Sequence, residues 1–225
     1  MATNDIPLRE RKAARTRLNL ARALAVQLAR HSLDEVAVRD LCAEIEISEA
    51  TFFNYFPRKT DLLAYLGRLW TLELQWHASQ AAAEKPGLAA IEAVFQAAAR
   101  RVQAEPQAWG EWIAWQAQQR EKREEEPLTQ AEKRLGFPDC AGIETLAEQR
   151  LDGLLAQQLT RAIERGELPA NTPVPVVMAA LIAQFYGVIL IFKQAQPGAI
   201  GGQFRQQLQL LWAGIRELTR SGTNA

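Results

Sequence analysis

The sequence has few of the residues that build disulfides, metal sites and membrane spans. It contains two cysteines and two histidines in 225 residues, which is too few for a disulfide framework or a cysteine and histidine metal site. No stretch reaches the roughly 18 consecutive apolar residues expected of a membrane span. The N-terminus also lacks the apolar core of a signal peptide. We therefore expect a cytoplasmic protein that makes no use of the membrane and binds no metal or other cofactor.

The chain also lacks the motifs of catalysis. No activated nucleophile, metal-ligand cluster or glycine-rich phosphate loop stands out, so we expect a protein that is not an enzyme. The total charge gives no indication of a partner, because 26 basic residues balance 26 acidic ones.

The basic residues are nevertheless concentrated near the N-terminus. Apolar residues recur there at three- and four-residue steps, which predicts an amphipathic helix from about residue 9 to residue 30. Its basic residues, opposed by Glu10 alone, are Arg9, Arg11, Lys12, Arg15, Arg17, Arg22 and Arg30. Such a stripe is typical of proteins that bind nucleic acid, although a solvated helix face gives the same pattern.

Residues 38–59 predict two short helices joined by a tight turn. In the first helix, Leu41 and Ile45 lie one turn apart. Ser48 is a good N-cap for the second helix, and Pro57 ends it, because the residue before a proline is disfavoured in the α conformation. Two short helices, the second with exposed polar and aromatic groups, are typical of the helix-turn-helix that binds the DNA major groove.

The sequence LCAEIEISEATFFNYFPRKTDL, residues 41–62, resembles the DNA-binding signature of the TetR family of bacterial transcriptional regulators. The resemblance extends from about Arg9 to Leu66. It implies an all-α fold, with a three-helix helix-turn-helix DNA-binding domain at residues 1–66 and a larger helical effector-binding and dimerisation domain at residues 67–225. It further implies a homodimeric repressor that a small apolar or aromatic effector releases from a pseudo-palindromic, double-stranded DNA operator.

The resemblance also implies which residues contact DNA. Lys59 and Tyr55 match positions at which the family contacts phosphate. Thr51, Phe53 and Asn54 occupy the exposed face that is expected to read base edges or sugars. The alternative for Tyr55 and Phe53 is packing against the first long helix. The remaining predicted DNA contacts are Arg17, Arg39, Ser48 and Arg58.

Several residues depart from the family pattern, including Ile45 in the turn and Arg58 in place of a serine cap, and three of them bear on function. Phe53 stands where the family usually has tyrosine, and Ala37 stands where a threonine commonly opens the first short helix. Glu46 replaces the glycine of the turn and must adopt it without the conformational freedom of glycine. These departures motivate an alternative function, a TetR-shaped helical interaction protein with weak or no sequence-specific DNA binding.

The body is predicted to be helical, with one interruption. A long helix starts near Lys59. Residues 127–142 contain prolines and glycines and have no clear periodicity, so we expect a long loop that caps a cavity or contacts a partner. A helix is predicted from Ile143 to a C-terminal cap at Gly166. The aromatic residues that line an effector pocket, or alternatively form ordinary core, are Phe95, Trp109, Trp112, Phe185, Tyr186 and Phe192.

The last two helices are predicted to form the dimer interface. Residues 174–193 are apolar on almost all sides, so this helix must be buried against more than one neighbour. The final helix has apolar residues at the four-three-four steps of a bundle seam. Pairing of both helices with their two-fold mates would bury these residues in a four-helix bundle. The predicted interface residues are Val177, Leu181, Val188, Phe204, Leu208, Leu211 and Ile215.

Overall fold

The computed structural model describes residues 6–84, 87–119 and 126–221. These residues form ten α-helices and two short 3-10 turns, and none of them lies in a β-strand. The prediction of an all-α fold is therefore confirmed. In chain order the helices are α1 (Leu8–Leu28), α2 (Val38–Glu44), α3 (Glu49–Tyr55), α4 (Lys59–Glu84), α5 (Leu88–Ala104), α6 (Pro106–Gln118), α7 (Gln130–Gly136), α8 (Leu151–Glu164), α9 (Val174–Phe192) and α10 (Ile200–Ser221).

The helices are divided between two compact units. Unit 1 holds the residues up to Leu72 together with Gln107–Glu148, and unit 2 holds Glu73–Pro106 together with the residues from Gln149 onward. Each unit therefore contains one part of α4. The predicted boundary between a DNA-binding domain that ends at residue 66 and an effector-binding domain that follows it stays a prediction.

In unit 1, α1 packs against α2, and α2 packs against α3. The side chains of Leu24, Leu41 and Phe52, one from each helix, are completely buried. Because α2 and α3 have seven residues each, neither is long enough to be stable as an isolated helix in water. The apolar core that they share with α1 therefore stabilises both.

A tryptophan cluster forms the second part of the core of unit 1. Trp70 of α4 stacks on Trp109 of α6 with ring centroids 4.8 Å apart, and Trp112 meets both rings edge-on. The indole of Trp112 lies directly against the backbone of α4 at Gly67. A Cβ atom added to Gly67 would lie 1.8 Å from Nε1 of Trp112, so only glycine fits at this position.

The segment predicted as a loop at residues 127–142 contains a helix, so this prediction is wrong in part. The Thr129 hydroxyl accepts a hydrogen bond from the Glu132 backbone N–H, and the Glu132 carboxylate accepts one from the Thr129 N–H. This reciprocal pair is a capping box, and its Thr-x-x-Glu spacing was the sequence signal for α7. After α7 the chain turns at Gly142, whose φ is +81°.

Unit 2 is built from α5, α8, α9 and α10. Helix α10 packs against α5 and α9, and α8 packs against the same two helices. Three phenylalanines meet at the centre: Phe185 stacks on Phe204 at 5.9 Å, and Phe95 meets both rings edge-on at 5.3 and 4.9 Å. Contact between aromatic rings in these orientations stabilises a core beyond the area that it buries.

The predicted end of α8 is confirmed, but its predicted start is wrong. Gly166 follows the helix with a φ of +72°, a conformation that glycine adopts without steric cost. The helix begins at Leu151 instead of Ile143, because Ile143–Thr145 form a 3-10 turn. Gln149 lies before the helix, and its backbone N–H donates to the side chain of Gln75 at 3.2 Å instead of to a helical carbonyl.

Among the described residues, α9 is the one helix that is long and apolar enough to cross a membrane. The sequence did not indicate such a helix, because no stretch reaches about 18 consecutive apolar residues. A helix in the core of a soluble protein passes the same test of length and composition. In α9 the side chains of Val177, Leu181 and Phe185 are buried inside unit 2, and 28% of the apolar stretch is buried in the single chain.

Replacement of Gly67 by alanine should destabilise the protein by about 1–3 kcal/mol, because the methyl group overlaps the Trp112 indole and overpacking has a cost of this size. Gly153→Ala in α8 is the matched control, because a Cβ atom there has no neighbour within 4 Å. The control should be neutral or stabilise by up to about 1 kcal/mol through helix propensity. Urea unfolding measures both changes, and equal stability of the two variants would contradict the close contact.

Candidate nucleic-acid interface

Helix α3 presents one face to solvent and the other to the core. Its N-cap is Ser48, whose hydroxyl accepts a hydrogen bond from the Thr51 N–H at 3.1 Å, and the chain becomes extended at Phe56 just before Pro57. Both predicted end signals are therefore confirmed. Phe52 is buried, whereas Phe53 is 48% exposed. The exposed or partly exposed side chains of α3 are Glu49, Ala50, Thr51, Phe53, Asn54 and Tyr55.

The turn between α2 and α3 has the geometry that glycine usually provides. Among the described residues, Glu46 is the only one other than glycine with a positive φ, at +57°. The turn is closed by the Ile47 N–H, which donates to the Cys42 carbonyl at 3.0 Å. Ala37 occupies the N-cap of α2 and makes no side-chain cap hydrogen bond. The helix-turn-helix thus forms despite both departures from the family pattern.

Lys59 and Arg58 lie at the start of α4, immediately after α3. The Lys59 ammonium donates to the backbone carbonyls of Val36 at 2.7 Å and Asp34 at 3.2 Å. The Arg58 guanidinium forms a two-pronged pair with Asp61 at 2.7 and 3.2 Å. Lys59 therefore ties the start of α4 to the segment before α2, whereas the Arg58 pair lies within the first turn of α4. Contact of either cation with DNA phosphate stays a prediction.

Most of the predicted DNA contacts lie on the surface around α3. Arg39 in the first turn of α2 is highly exposed and pairs only with its neighbour Asp40, at 3.4 Å. Ser48, Thr51, Phe53, Asn54 and Tyr55 share α3 or its cap. Several basic side chains of α1 and the turn after it are also exposed; these are Arg9, Lys12, Arg15, Arg22 and Arg30.

Arg17 is placed differently from the other predicted contacts. Its guanidinium lies 2.9 Å from a carboxylate oxygen of Glu132 and 4.5 Å from the centre of the Tyr65 ring. Only 22% of the Arg17 side chain is exposed, and Glu132 is almost completely buried. Burial, reinforced by the nearby carboxylate of Glu132, raises the pKa of Tyr65 far above its ordinary value. Contact of Arg17 with phosphate stays a prediction.

Glu132 and Tyr65, which surround Arg17, were not among the residues predicted from the sequence to contact DNA. The capping-box spacing could have located Glu132 at the start of a helix. No sequence signal indicated its pairing with Arg17, because the two residues are far apart in the chain and only the packing of α7 on α1 brings them together.

The six predicted pocket residues are divided between the two units. Trp109 and Trp112 belong to the tryptophan cluster of unit 1. The other four belong to unit 2, where Phe185 contacts Phe95 and Tyr186 edge-on, each at 5.3 Å. Burial raises the pKa of Tyr186. Phe192 is partly buried near the end of α9. An effector pocket formed by these residues stays a prediction.

Six of the seven predicted interface residues face the core of unit 2. Val177, Leu181, Val188, Phe204, Leu208 and Ile215 are each at most 5% exposed, and Leu211 is partly exposed. The apolar residues that α9 and α10 do expose are Val176, Leu190, Ile191 and Leu210, which are 49% to 73% exposed. Contact of either set with a second copy of the chain stays a prediction.

Eighteen solved protein chains match this fold, and three of them illustrate the similarity. FadR of Thermus thermophilus, a TetR-family transcriptional repressor in complex with lauroyl-CoA, is 19% identical, with a TM-score of 0.59 over 87% of this chain and 92% of that chain. GusR of Salmonella enterica is 19% identical, with a TM-score of 0.57 over 90% and 95% of the two chains. KstR2 of Mycobacterium tuberculosis, a ketosteroid transcriptional regulator, is 17% identical, with a TM-score of 0.56 over 89% and 94%.

The helix-turn-helix segment also matches a known protein family. Residues 20–66, which include α2, α3 and the start of α4, match the family described as bacterial regulatory proteins, tetR family. No curated protein matches the chain. The matched segment contains the cap of α3, its exposed face and Lys59. Residues 20–66 thus match the DNA-binding segment of TetR-family regulators, and the chain has the all-helical fold of solved TetR-family proteins.

Proposed function

We propose that this protein is a homodimeric, cytoplasmic repressor that binds a pseudo-palindromic operator and leaves it when a small effector binds. The observation that carries the proposal is the outward face of α3, where Phe53 and Asn54 are exposed while Phe52 anchors the helix in the core. A recognition helix of a helix-turn-helix places such residues in the major groove. In a two-fold dimer, the two recognition helices read two symmetric half-sites.

The chemistry of the exposed face suggests how bases are read. Asn54 offers an amide that can form a bidentate pair with adenine, and the ring of Phe53 can contact the methyl group of thymine. Thr51 also takes part in the N-cap of α3, because its backbone N–H donates to the Ser48 hydroxyl and its own hydroxyl lies 2.9 Å from that hydroxyl. We assign base reading to Phe53 and Asn54 first, with Thr51 beside them.

The cations at the start of α4 supply phosphate contacts in this proposal. A lysine ammonium has three N–H donors, and an arginine guanidinium has five. Lys59 uses two donors on backbone carbonyls and Arg58 uses two on Asp61. Donors therefore remain on both groups for phosphate oxygens, while the existing bonds hold each side chain in place. Arg39, Ser48 and Tyr55 complete the proposed phosphate contacts.

Dimerisation is supported by the exposed apolar residues at the C-terminal end of the chain. Val176, Leu190 and Ile191 of α9 and Leu210 of α10 are large, apolar and mostly exposed. Single exposed apolar residues are common, but several on two neighbouring helices are typical of an association surface. We propose that a second copy of α9 and α10 covers them, with Leu211 at the edge of the same interface.

An apolar effector is supported by the interior of unit 2. The buried polar side chains there are the uncharged residues Gln75, Gln158 and Thr172, and the rest of the buried set is apolar. A charged ligand would lose hydration in such an interior without gaining a partner. Lauroyl-CoA, which is bound in the structure of the similar FadR of Thermus thermophilus, also contains a long apolar chain. Such an effector shifts the DNA-binding equilibrium only by its differential affinity for the two states.

The alternative is a TetR-shaped interaction protein that does not read DNA sequence. The unusual turn residue Glu46 and the missing cap at Ala37 favour it. The exposed basic side chains of α1 favour DNA binding instead, because they attract phosphate through a salt-dependent electrostatic interaction.

Selection of bound sequences from a random duplex pool distinguishes the two functions. We expect an enriched pseudo-palindrome whose half-sites lie about one helical turn or more apart. Titration of the enriched duplex at several salt concentrations should give a steep fall in affinity with salt. Weak binding without sequence enrichment would favour the interaction protein.

Two substitutions should separate base reading from phosphate contact. Asn54→Ala should weaken operator binding by about 1–3 kcal/mol and relax specificity at one position. Lys59→Ala should weaken binding to operator and random duplexes alike and lower the salt slope by about one. Each variant is the control for the other, and thermal unfolding checks that both remain folded. The same effect of both variants on operator and random DNA would contradict the assigned roles.

A charge on the proposed dimer surface should separate the two copies. Leu210→Glu places a carboxylate on a residue that is 73% exposed in the single chain, so the fold itself should tolerate it. Sedimentation at micromolar concentration should show a dimer for the wild type and a monomer for Leu210→Glu. Val26→Glu in α1, at a residue that is 60% exposed, is the matched control and should stay dimeric. A monomeric wild type would refute the homodimer.

A further inference from the structure

Residues 126–148 form a clasp that fastens α1 to α4 within unit 1. At one end, Ala131 of α7 packs with Ile6 and Ala14 in a small apolar cluster that Leu135 covers. At the other end, the Glu148 carboxylate accepts hydrogen bonds from Arg68 of α4 and from the backbone N–H of Leu128. The clasp is therefore held by apolar contacts with α1 and by an ion pair with α4.

Glu132 is the buried charge at the centre of the clasp. It is 1% exposed. Oε2 of Glu132 accepts from the Thr129 N–H at 2.7 Å and thereby caps α7, and Oε1 lies 2.9 Å from Nη1 of Arg17. A carboxylate buried in this way remains ionised at acceptable cost only when a cation and hydrogen bonds compensate it. Arg17 is that cation.

The Arg17 guanidinium in turn lies over two aromatic rings. Its Cζ atom is 4.5 Å from the centre of the Tyr65 ring and 5.3 Å from the centre of the Phe56 ring, within the range of cation–π attraction. The two rings also contact each other at 5.3 Å. Glu132 therefore determines where a planar cation lies against Phe56 and Tyr65.

Phe56 connects this group to the recognition helix. It is the C-cap of α3, and its backbone N–H donates to the Phe52 carbonyl at 2.8 Å. Its ring is 2% exposed and lies 6.1 Å from the ring of Phe52. A continuous series of contacts thus runs from α7 through Arg17 to the C-terminal end of α3, next to Phe53 and Asn54.

We propose that Glu132 is a positioning residue for DNA recognition, which acts by holding Arg17 against Phe56 and so fixing the C-terminal end of α3. The proposal rests on the proposed DNA-binding function of α3. It gives Arg17 a structural part in that function instead of a phosphate contact. It also makes α7 an element that controls the orientation of the recognition helix.

Glu132→Gln tests the ion pair with little other change. Glutamine serves in a capping box as glutamate does, so the cap of α7 is kept while the charge is lost. Glu144→Gln is the matched control, because Glu144 pairs at 3.4 Å with Arg134 inside the clasp itself. Both variants are made in the full chain.

Amide hydrogen exchange in the free protein is the first measurement. In Glu132→Gln, the amides of residues 48–56 should exchange at least about tenfold faster, as expected for loss of one partner of a buried ion pair. The amides of α5 and α10 should keep their wild-type rates, as should residues 48–56 in Glu144→Gln. Unchanged exchange of residues 48–56 in Glu132→Gln, or faster exchange throughout the chain, would overturn the proposal.

The double variant Arg17→Ala with Glu132→Gln separates positioning from stability. It leaves no buried charge unpaired, so it should fold more stably than Glu132→Gln alone. It also leaves no cation against Phe56, so residues 48–56 should still exchange faster than in the wild type. Wild-type protection of these amides in the double variant would show that the pair acts only through stability, and would overturn the proposal.

DNA binding by the double variant distinguishes positioning from phosphate contact. The probe is the duplex enriched from the random pool, titrated at several salt concentrations. Affinity should fall about tenfold while the salt slope stays at the wild-type value, because no phosphate contact is lost. A slope lower by about one would identify Arg17 as a phosphate ligand and overturn the proposal. If the wild type binds no DNA, the proposed function fails, and the exchange measurements still decide whether Glu132 positions α3.

Discussion

A helix of seven residues is too short to offset the cost of its own nucleation, and unit 1 is built around this constraint. Helix α3 exists because its Ser48 cap, its buried Phe52 and the extended residue Phe56 hold it at both ends and in the middle. Each of these supports uses the inward side of the helix. The side chains on the outward side do not contribute to this core, so they are available to contact a DNA groove.

The charged groups around α3 fix the positions of the segments that they connect. Lys59 ties the residues before α2 to the start of α4 through two backbone carbonyls, and Arg17 connects α7 with the ring of Phe56. Buried and half-buried ion pairs add little net stability, because desolvation offsets much of their attraction. Their contribution here is geometric, because each pair fixes the position of the groups that it joins. A short helix whose exposed face is proposed to contact DNA needs neighbouring segments that are fixed in this way.

Helices α9 and α10 differ from α3, because they have more apolar surface than the core of unit 2 buries. Helix α9 is apolar on nearly all sides, but the core of unit 2 buries only one side, through residues such as Leu181 and Phe185. The other side retains Val176, Leu190 and Ile191 in solvent. One apolar helix therefore contributes to the core and also offers a surface for association.

Local signals in the sequence determined the all-α class, the cap and end of α3 and the glycine that follows α8, because these depend on residues three or four apart. The Thr129 and Glu132 pair shows that such a signal can be present and still be missed in a segment rich in proline and glycine. Only the tertiary structure decided which side of α9 and α10 is buried and placed Arg17 beside Glu132. Burial and ion pairing depend on which helices pack together, and residues far apart in the chain carry no local mark of that packing.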